Sequence, residues 1–288
     1  MKLKEKLGKK FVITTELGAT EGVDVQTSIN NARSYQPSLD GINIHDCPGG
    51  RLRINSISLA HIIQEETGFE TIPHFTCRDR SLLGTQADLL GAHALGIRYL
   101  LATTGDAPKH GPYPSTAVYN YTSLDLIRLI KKMNRGVDYN EKPFKGQTCF
   151  CVAATARPAA KNLDAEVERV RQKVEAGADF IQTQPVFHVE KAIRFMERVK
   201  NFKIPVLMGI MPLKSLKLAE FMNKNVPGIY IPPEVLEALA RSERAAVDIA
   251  CKFISEVYSY VDGIHIMAMG DVETTNTLIN YIRELIGE

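Results

Sequence analysis

The chain has 288 residues, of which 44% are hydrophobic, and its 35 basic and 33 acidic side chains give a formal net charge of +2. Because these charges are interspersed along the chain, the composition argues against a nucleic-acid partner or an anionic membrane surface and favours a small-molecule ligand. Five cysteines without a C-x-x-C spacing argue against a disulfide framework, a structural zinc or an iron-sulfur cluster, and the apolar run over residues 11–15 is too short for a signal peptide or a membrane span, so we expect a cytoplasmic protein.

Eight short apolar segments, each closed by a turn or a polar residue, predict β-strands along the chain. They cover residues 11–17, 41–46, 71–77, 99–105, 149–156, 180–186, 205–211 and 263–269. Helical periodicity predicts helices between them over residues 23–35, 56–67, 82–95, 123–134, 164–176, 189–201 and 215–224, then one long helix around 233–261 and a last helix over 273–286. This alternation favours a (β/α)8 TIM barrel that forms a single domain over residues 1–288, and an open doubly wound sheet is the weaker alternative.

Polar side chains gather where two neighbouring strands of the predicted barrel end. The fourth strand ends in the sequence TTGDAP, which brings Thr104, Gly105 and Asp106 to the rim. The third strand places His74 and Thr76 on one face by strand alternation. Because the carboxyl ends of barrel strands carry the active site, we expect these side chains to build one site.

Several of the polar side chains allow two interpretations from the residues alone. Glu16, in the otherwise apolar first strand, is either a rim carboxylate paired with a base or a general acid whose pKa is raised by burial. Gln182 and Gln184 share one face of the sixth strand, where they bind a polar ligand or form a hydrogen-bond network inside the barrel. Asp106 has the alternative of capping its own loop, and His74 that of a satisfied inner histidine.

A long loop, a cysteine pair and a basic cluster complete the features of interest. Residues 107–122, rich in Pro, Tyr and Gly, are predicted to form a wall of the site, with a surface excursion as the alternative. Cys149 and Cys151 alternate onto one strand face and are predicted to be small core residues. The basic cluster lies around the end of the fifth strand, where one or two members could reach a phosphate, and comprises Arg157, Arg169, Arg171 and Lys173. Neither a G-x-G-x-x-G nor a P-loop motif is present.

Five segments, taken together and in order, resemble the methylenetetrahydrofolate reductase family. They are PHFTCRD at 73–79, TTGDAP at 103–108, QKVEAGADF at 172–180, QTQPVF at 182–187 and GIMPL at 209–213. The resemblance covers nearly the whole chain and is greatest to the reductase half of bacterial bifunctional homocysteine S-methyltransferase/methylenetetrahydrofolate reductases. It implies a flavin-bearing barrel of one-carbon metabolism and methionine biosynthesis that reduces 5,10-methylenetetrahydrofolate to 5-methyltetrahydrofolate.

The resemblance also implies roles for individual residues. Glu16 is expected to be the acid that opens the five-membered ring of the folate, and Asp106 to lie between flavin and pterin. Gln184 is expected to hold the pterin, and Leu216 occupies the position of an aromatic residue that stacks on nicotinamide or folate in the bacterial single-domain pattern. Cofactor contacts are expected from His74, Thr76, Thr104, Gly105, Asp106, Arg157, Glu166 and Lys173, with Lys173 at the phosphates and Glu166 at the ribose.

Two departures from that bacterial pattern bear on the cofactor and the electron donor. Thr-Ala-Arg-Pro at 155–158 replaces a Tyr-Pro-Glu-x-His segment, so Arg157 is the candidate substitute for its contacts. Stacking by Leu216 is weaker than stacking by an aromatic ring. We therefore expect FAD, or FMN in its place, with NADH, NADPH or an electron-delivering partner subunit as donor, in a homo-oligomer or with that partner.

Two readings from other classes stay open. A pterin- or corrinoid-handling methyl-transfer barrel would bind folate but no flavin, so flavin content would distinguish it from a reductase. A non-catalytic barrel subunit would need none of the three strand-end residues Glu16, Asp106 and Gln184, and their joint presence weighs against it.

Overall fold

The eight predicted strands close into a parallel barrel in chain order, with β8 paired to β1. The computed structural model describes residues 2–107, 117–225, 229–242 and 245–288. The strands are β1 Val12–Leu17, β2 Gly41–Ile44, β3 Thr71–Thr76, β4 Tyr99–Thr103, β5 Cys151–Ala156, β6 Phe180–Pro185, β7 Val206–Ile210 and β8 Gly263–Ile266. The predicted (β/α)8 TIM barrel is confirmed.

The helices of the described residues surround this barrel. They are α1 Leu3–Lys6, α2 Gln26–Arg33, α3 Ser56–Thr67, α4 Leu82–Ala94, α5 Ser123–Met133, α6 Leu163–Glu175, α7 Val189–Val199, α8 Leu216–Asn225, α9 Pro233–Arg241, α10 Ala245–Val257 and α11 Val272–Leu285. The main hydrophobic core lies between helices and strands, because the outward side chains of the strands meet the apolar faces of the helices there. None of the helices in the described part of the chain is both long and apolar enough to cross a membrane.

The barrel interior is apolar at its amino-terminal end and polar at its carboxyl end. A separate cluster of buried apolar side chains from the strands fills the lower interior, and Leu3 of the short helix α1 packs into it. Above it, alternation along β1 brings Thr14 and then Glu16 inward, and Thr14 contacts Gln182 and His265 from across the barrel. The fold thus places a stack of polar side chains beneath the rim where the strands end.

The pairing of β6 with β7 is irregular where Gln184 lies. The register shifts between Gln182 and Pro185. Gly209 of β7 comes so close to this irregularity that a Cβ atom there would overlap the carbonyl oxygen of Thr183. Glycine is therefore required at this position, and the shift exposes the side chain of Gln184 at the barrel mouth.

Two sequence predictions fail in detail. The long helix predicted over 233–261 is two α-helices, α9 and α10, followed by a 3₁₀ turn at Tyr258–Tyr260, because Ser242 takes an extended conformation that ends α9. Strand β5 begins at Cys151, because the side chain of Asn134 bonds both the N–H and the carbonyl of Phe150 in place of a neighbouring strand. Cys149 is consequently exposed, and its predicted core position is wrong.

Candidate active site

The carboxyl ends of the strands surround a cavity of about 840 Å³. Every site residue implied by the family resemblance lines this cavity except Leu216. Of the basic cluster, Arg157, Arg169 and Lys173 line it as well, whereas Arg171 lies outside and pairs with Glu168 and Glu175 along α6. Part of the predicted wall over 107–122 falls on residues 108–116, which lie outside the described residues. Its described end does return to the site, because the Tyr119 hydroxyl donates to the carbonyl of Gly105 over 3.1 Å.

Leu216 does not line the cavity. It packs against an apolar cluster that includes residues of α8 and α9. Three other side chains of this cluster do line the cavity, namely Met211, Met222 and Ile229. Among the described residues that line the cavity there is no Phe, Tyr or Trp, and this part of its wall presents aliphatic and thioether side chains.

Glu16 lies between two histidines that the sequence analysis did not single out. Its Oε2 is 3.1 Å from Nε2 of His45, just after β2, and its Oε1 is 3.3 Å from Nε2 of His265 on β8. Burial alone would raise the pKa of the Glu16 carboxyl, but the charge of His45 and the hydrogen bonds from both imidazoles outweigh burial and hold that pKa well below its usual range. The expectation of a raised pKa for Glu16 is therefore wrong.

A chain of hydrogen bonds runs beneath Glu16 through the polar layer of the barrel. Gln182 and Asn43 exchange amide hydrogen bonds of 2.8 and 3.0 Å, and the Gln182 amide also donates to Thr14 over 3.1 Å. Thr14 contacts Nδ1 of His265 over 2.9 Å, and Asn43 contacts Nε2 of His74 over 3.2 Å. The two interpretations of the glutamine pair therefore apply to different residues. Gln182 belongs to the hydrogen-bond network inside the barrel, and Gln184 faces the cavity.

Asp106 and Gly105 form the tip of the β4 end, as the TTGDAP segment predicts. Gly105 has φ +84°, and a Cβ atom there would lie 3.0 Å from side-chain carbons of Thr76 and Arg78. The Asp106 carboxylate is exposed and accepts a 3.3 Å hydrogen bond from the N–H of Gly49, in the turn after β2. This contact comes from a different loop, so Asp106 links two strand ends and does not simply cap its own.

The end of β3 is held by a buried ion pair. The Asp46 carboxylate accepts from the N–H and the hydroxyl of Thr76, over 3.1 and 2.9 Å, and from Arg80 over 2.6 Å. Arg80 also binds Asp88 over 3.0 Å. Because the N–H and the hydroxyl of Thr76 both donate to Asp46, Thr76 has no further hydrogen to donate to a ligand.

One wall of the cavity, at the ends of β5 and α6, is basic. Lys173 donates to the carbonyl of Thr155 over 2.5 Å, and burial lowers its pKa to about 8. The buried carboxylate of Glu166 accepts from the N–H of Arg157 over 2.9 Å and from Arg169 over 2.5 Å. Glu166 thereby orients its cationic neighbours, which leaves less of its carboxylate for the ribose contact expected from the resemblance.

The donor sets of the cavity can be matched to the groups they could hold. The cationic wall fits a diphosphate, and the polar strand ends of β3 and β4 fit the edge of a flat heterocycle, so the residues present fit a flavin dinucleotide. Ligand atoms of Glu16, His45 and His74 lie within 4.8 Å of one another, a donor set that could also hold a metal ion.

His45 and His265 could have been found from the sequence by one signal. Strand alternation places His45 on the same face of the second predicted strand as Asn43, and His265 on the inward face of the last. What the sequence could not show is that both point at the same carboxylate.

Comparison with known proteins gives a family match over almost the entire chain. The model of the family described as methylenetetrahydrofolate reductase matches residues 4–283. The chain is 29% identical to the 5,10-methylenetetrahydrofolate reductase of Escherichia coli over 208 residues, which make up 69% of this chain and 64% of that protein. It is 27% identical over 241 residues to methylenetetrahydrofolate reductase 2 of Saccharomyces cerevisiae, covering 77% of this chain and 38% of that one. The chain thus spans less than two thirds of the length of these relatives.

Solved structures agree on the architecture. The chain aligns with 2,3-dimethylmalate lyase with a TM-score of 0.54 and 12% identity, covering 99% of this chain and 85% of that one. It aligns with tryptophan synthase from M. tuberculosis with a TM-score of 0.55 and 14% identity, covering 97% and 94%. At these identities the likeness shows the barrel fold alone.

Proposed function

The chain belongs to the methylenetetrahydrofolate reductase family, and from this premise we propose that it catalyses the flavin-dependent reduction of 5,10-methylenetetrahydrofolate to 5-methyltetrahydrofolate. The observation that supports the proposal most strongly is the polarity of the cavity: a carboxylate between imidazoles on one side and a cationic wall on the other. The first suits proton transfer to a folate nitrogen, and the second suits a phosphorylated cofactor.

The cationic wall and the neighbouring strand ends would hold the flavin, FAD or the smaller FMN. Lys173 and Arg157 are proposed to meet its phosphates, with Arg169 anchored beside them by Glu166. His74, Thr76, Thr104 and Gly105 are proposed to border its ring system, because they lie together at the ends of β3 and β4. When bound, the flavin supplies the hydride that reduces the folate.

The pterin ring of the folate would bind between Asp106 and Gln184, whose side chains are both exposed at the mouth. Glu16 then stands below, and its role is to give a proton to the ring nitrogen so that the five-membered ring opens to an electrophilic iminium carbon. Because the pKa of Glu16 is low, its carboxyl is ionised at neutral pH, and the proton must come to it from a neighbour during the reaction.

The electron donor and the setting are part of the proposal. The aliphatic wall formed by Met211, Met222 and Ile229 favours electron delivery by a partner subunit over stacking of NADH or NADPH. All five cysteines are free, which is usual for cytoplasmic proteins. We further propose that the chain associates either with further copies of itself or with such a partner subunit.

The function is tested by separating the two half-reactions under anaerobic conditions. The flavin is reduced with NADH in one experiment and photochemically in another, and its reoxidation by methylenetetrahydrofolate is followed by absorbance. Glu16→Gln is expected to leave photoreduction unchanged and to slow reoxidation by about 10²–10⁴-fold, the usual worth of a general acid. Glu168→Gln, an exposed carboxylate on α6, is the matched control.

The outcomes separate the parts of the proposal. A wild-type protein that binds no flavin, or whose reduced flavin is not reoxidised by the folate, would refute the reductase function. An equal loss in both half-reactions of Glu16→Gln would refute the role of Glu16. Bleaching by NADH in the wild type would show that NADH is a direct donor despite the aliphatic wall.

A further inference from the structure

The rim of the cavity contains a buried arginine that the proposed function does not use. Arg78, just after β3, lines the cavity, yet its side chain is only 2% exposed. We propose that Arg78 is a positioning residue for Asp106, because it ties the segments after β2, β3 and β4 together and so fixes the Asp106 carboxylate at the mouth before folate binds. The contacts of Arg78 stand by themselves, and only the benefit to folate binding rests on the proposed function.

The guanidinium of Arg78 reaches three segments of the rim at once. Its Nη2 donates to the carbonyl oxygen of Cys47, in the turn after β2, over 2.9 Å. Its Nη1 donates to the carbonyl oxygen of Asp106, after β4, over 3.4 Å. Its Nε and Nη2 also form a fork with the carboxylate of Asp79, the next residue, over 3.0, 2.9 and 2.7 Å. A planar guanidinium can make these bonds in several directions together, whereas a lysine ammonium has no such fork.

Arg78 also acts on the side chain of Asp106, through the turn after β2. The carbonyl of Cys47 that accepts from Arg78 also accepts from the N–H of Gly50 over 3.0 Å, which closes this turn. Gly49, inside the turn, donates its N–H to the Asp106 carboxylate over 3.3 Å. Arg78 therefore binds the backbone of Asp106 directly and holds the turn that binds its carboxylate.

Two residues in this arrangement have backbone conformations that residues other than glycine rarely adopt. Cys47 has φ 45°, and its carbonyl accepts from Arg78. Tyr119 has φ 37°, and its hydroxyl donates to the carbonyl of Gly105. The residue before it, Val118, donates its N–H to the backbone carbonyl of Arg78 over 2.7 Å. Such conformations persist where the surrounding contacts impose them, so the strain agrees with a rim that Arg78 holds in one conformation.

The charge of Arg78 keeps these contacts together. Asp79 is 49% exposed, and its hydrogen bonds and charge raise the pKa of the guanidinium, which therefore stays ionised. A buried charge without partners is costly, so the guanidinium remains on its acceptors. Its stem is also confined, because a Cβ atom on Gly105 would lie 3.0 Å from the Cβ atom of Arg78.

Fixing Asp106 in advance favours folate binding. A loop tip that becomes ordered only when a ligand binds lowers the affinity, whereas a tip that is already in place adds no such cost. We therefore expect the loss of the Arg78 fork to weaken folate binding and to leave photoreduction of the flavin unchanged.

Amide hydrogen exchange, followed by NMR on the flavin-loaded protein without folate, tests the tie itself. In the wild type we expect the amides of Gly49 and Gly50 to be protected. In Arg78→Lys, which keeps the charge but not the fork, their exchange should become about 10–100-fold faster, as for the loss of one hydrogen bond to a charged group. The amide of Gly68, just after α3, should be unchanged. Unprotected Gly49 and Gly50 amides in the wild type, or equal protection in Arg78→Lys, overturns the inference.

Folate binding is tested by a double-mutant cycle of Arg78→Lys and Asp106→Ala. Photoreduced flavin is reoxidised by methylenetetrahydrofolate under anaerobic conditions, which gives the KM for the folate and the rate at saturating folate. Arg78→Lys is expected to raise KM about tenfold and to change the saturating rate and the flavin content by less than about twofold. In the Asp106→Ala background the same substitution should leave KM unchanged, because no carboxylate is left to position. Arg128→Lys, an exposed arginine of α5, is the control.

Two kinetic results would overturn the inference. One is an increase in KM from Arg78→Lys that is the same with and without the Asp106 carboxylate. The other is a parallel fall in flavin content and saturating rate, which would show that Arg78 is only structural. A wild type whose reduced flavin is not reoxidised by the folate would refute the proposed function instead, and the exchange measurement, which needs no folate, would still decide whether Arg78 fixes the rim.

Discussion

Arg80 binds two carboxylates that differ in burial. The contribution of a buried charge at the active-site rim to stability can therefore be measured against a matched, more exposed control. Asp46 is 6% exposed and also accepts two hydrogen bonds from Thr76, whereas Asp88 is 43% exposed. Asp46→Asn keeps the shape and an acceptor oxygen for Thr76 but removes the charge that faces Arg80. Asp88→Asn removes a charge from the same arginine at the surface.

The two substitutions should differ severalfold in their effect on stability. Asp46→Asn leaves the buried Arg80 paired only with the partly exposed Asp88. It is therefore expected to lower the free energy of unfolding by about 3 kcal/mol, the low end of the cost of breaking a buried ion pair. Asp88→Asn breaks a solvent-screened pair and should cost about 0.2–1 kcal/mol. A loss of about 3 kcal/mol corresponds to a fall in Tm of about 6–12 °C for a chain of this size.

Urea denaturation followed by circular dichroism measures both variants, with the slope of the transition checked against the wild type so that a change of midpoint reports stability. Added salt should reduce the loss of stability caused by Asp88→Asn. It should leave the loss caused by Asp46→Asn nearly unchanged, because salt screens buried charges only weakly. Equal losses in the two variants, or a loss below about 1 kcal/mol in Asp46→Asn, would contradict the argument from burial.

Three further predictions concern the barrel and its surface. Gly209→Ala should lower the free energy of unfolding by at least about 3 kcal/mol or prevent folding, because its Cβ atom would overlap the backbone of β6. Gly91→Ala, in open space on α4, should instead raise the free energy of unfolding, measured by urea denaturation, by about 0.5–1 kcal/mol. Similar effects of the two substitutions would contradict the close approach of β6 and β7. Because the pKa of Lys173 is lowered to about 8 in the folded protein, the unfolded state binds more protons than the folded state above that pH. The free energy of unfolding of the wild type should therefore increase relative to that of Lys173→Met as the pH rises from about 8 to 10. A difference between the two proteins that does not change with pH would contradict the lowered pKa. A thiol reagent should modify Cys149 first and Cys151 only on unfolding, because burial raises the pKa of Cys151 to about 12, and Cys149→Ser should remove the fast phase.

The fold was predictable because each strand is a short apolar run bounded by a turn. Eight such strands alternating with helices favour a closed barrel over an open sheet, although the pattern alone does not show closure. The hydrophobic pattern could not locate the places where local contacts or backbone conformation interrupt a regular strand or helix. Asn134 takes the backbone bonds of Phe150 and so delays the start of β5. Ser242 is extended within a segment whose periodicity favours a continuous helix. Both effects depend on tertiary or local backbone geometry that hydrophobic periodicity does not encode.

The sequence predicted which residues line the site better than it predicted their pKa values. Strand alternation and strand ends identify inward side chains, which is why Glu16, His74 and Gln184 all line the cavity. The interpretation that burial raises the pKa of Glu16 is wrong in sign, because the imidazoles of His45 and His265 lower that pKa by more than burial raises it. Leu216 was expected in the cavity from the family resemblance alone, and it lies at the start of α8, where strand alternation gives no indication of direction.

The polar layer of the barrel explains why the surroundings of Glu16 could not be read from one strand at a time. A single amide pair, Asn43 and Gln182, bonds to both His74 and, through Thr14, His265. Each of these strands contributes one inward polar residue that is unremarkable by itself, and the hydrogen-bond partners of each ring are brought together only when the strands close around the pair. The charge at Glu16 is therefore a property of the closed barrel, since the groups that determine it come from the first strands and the last.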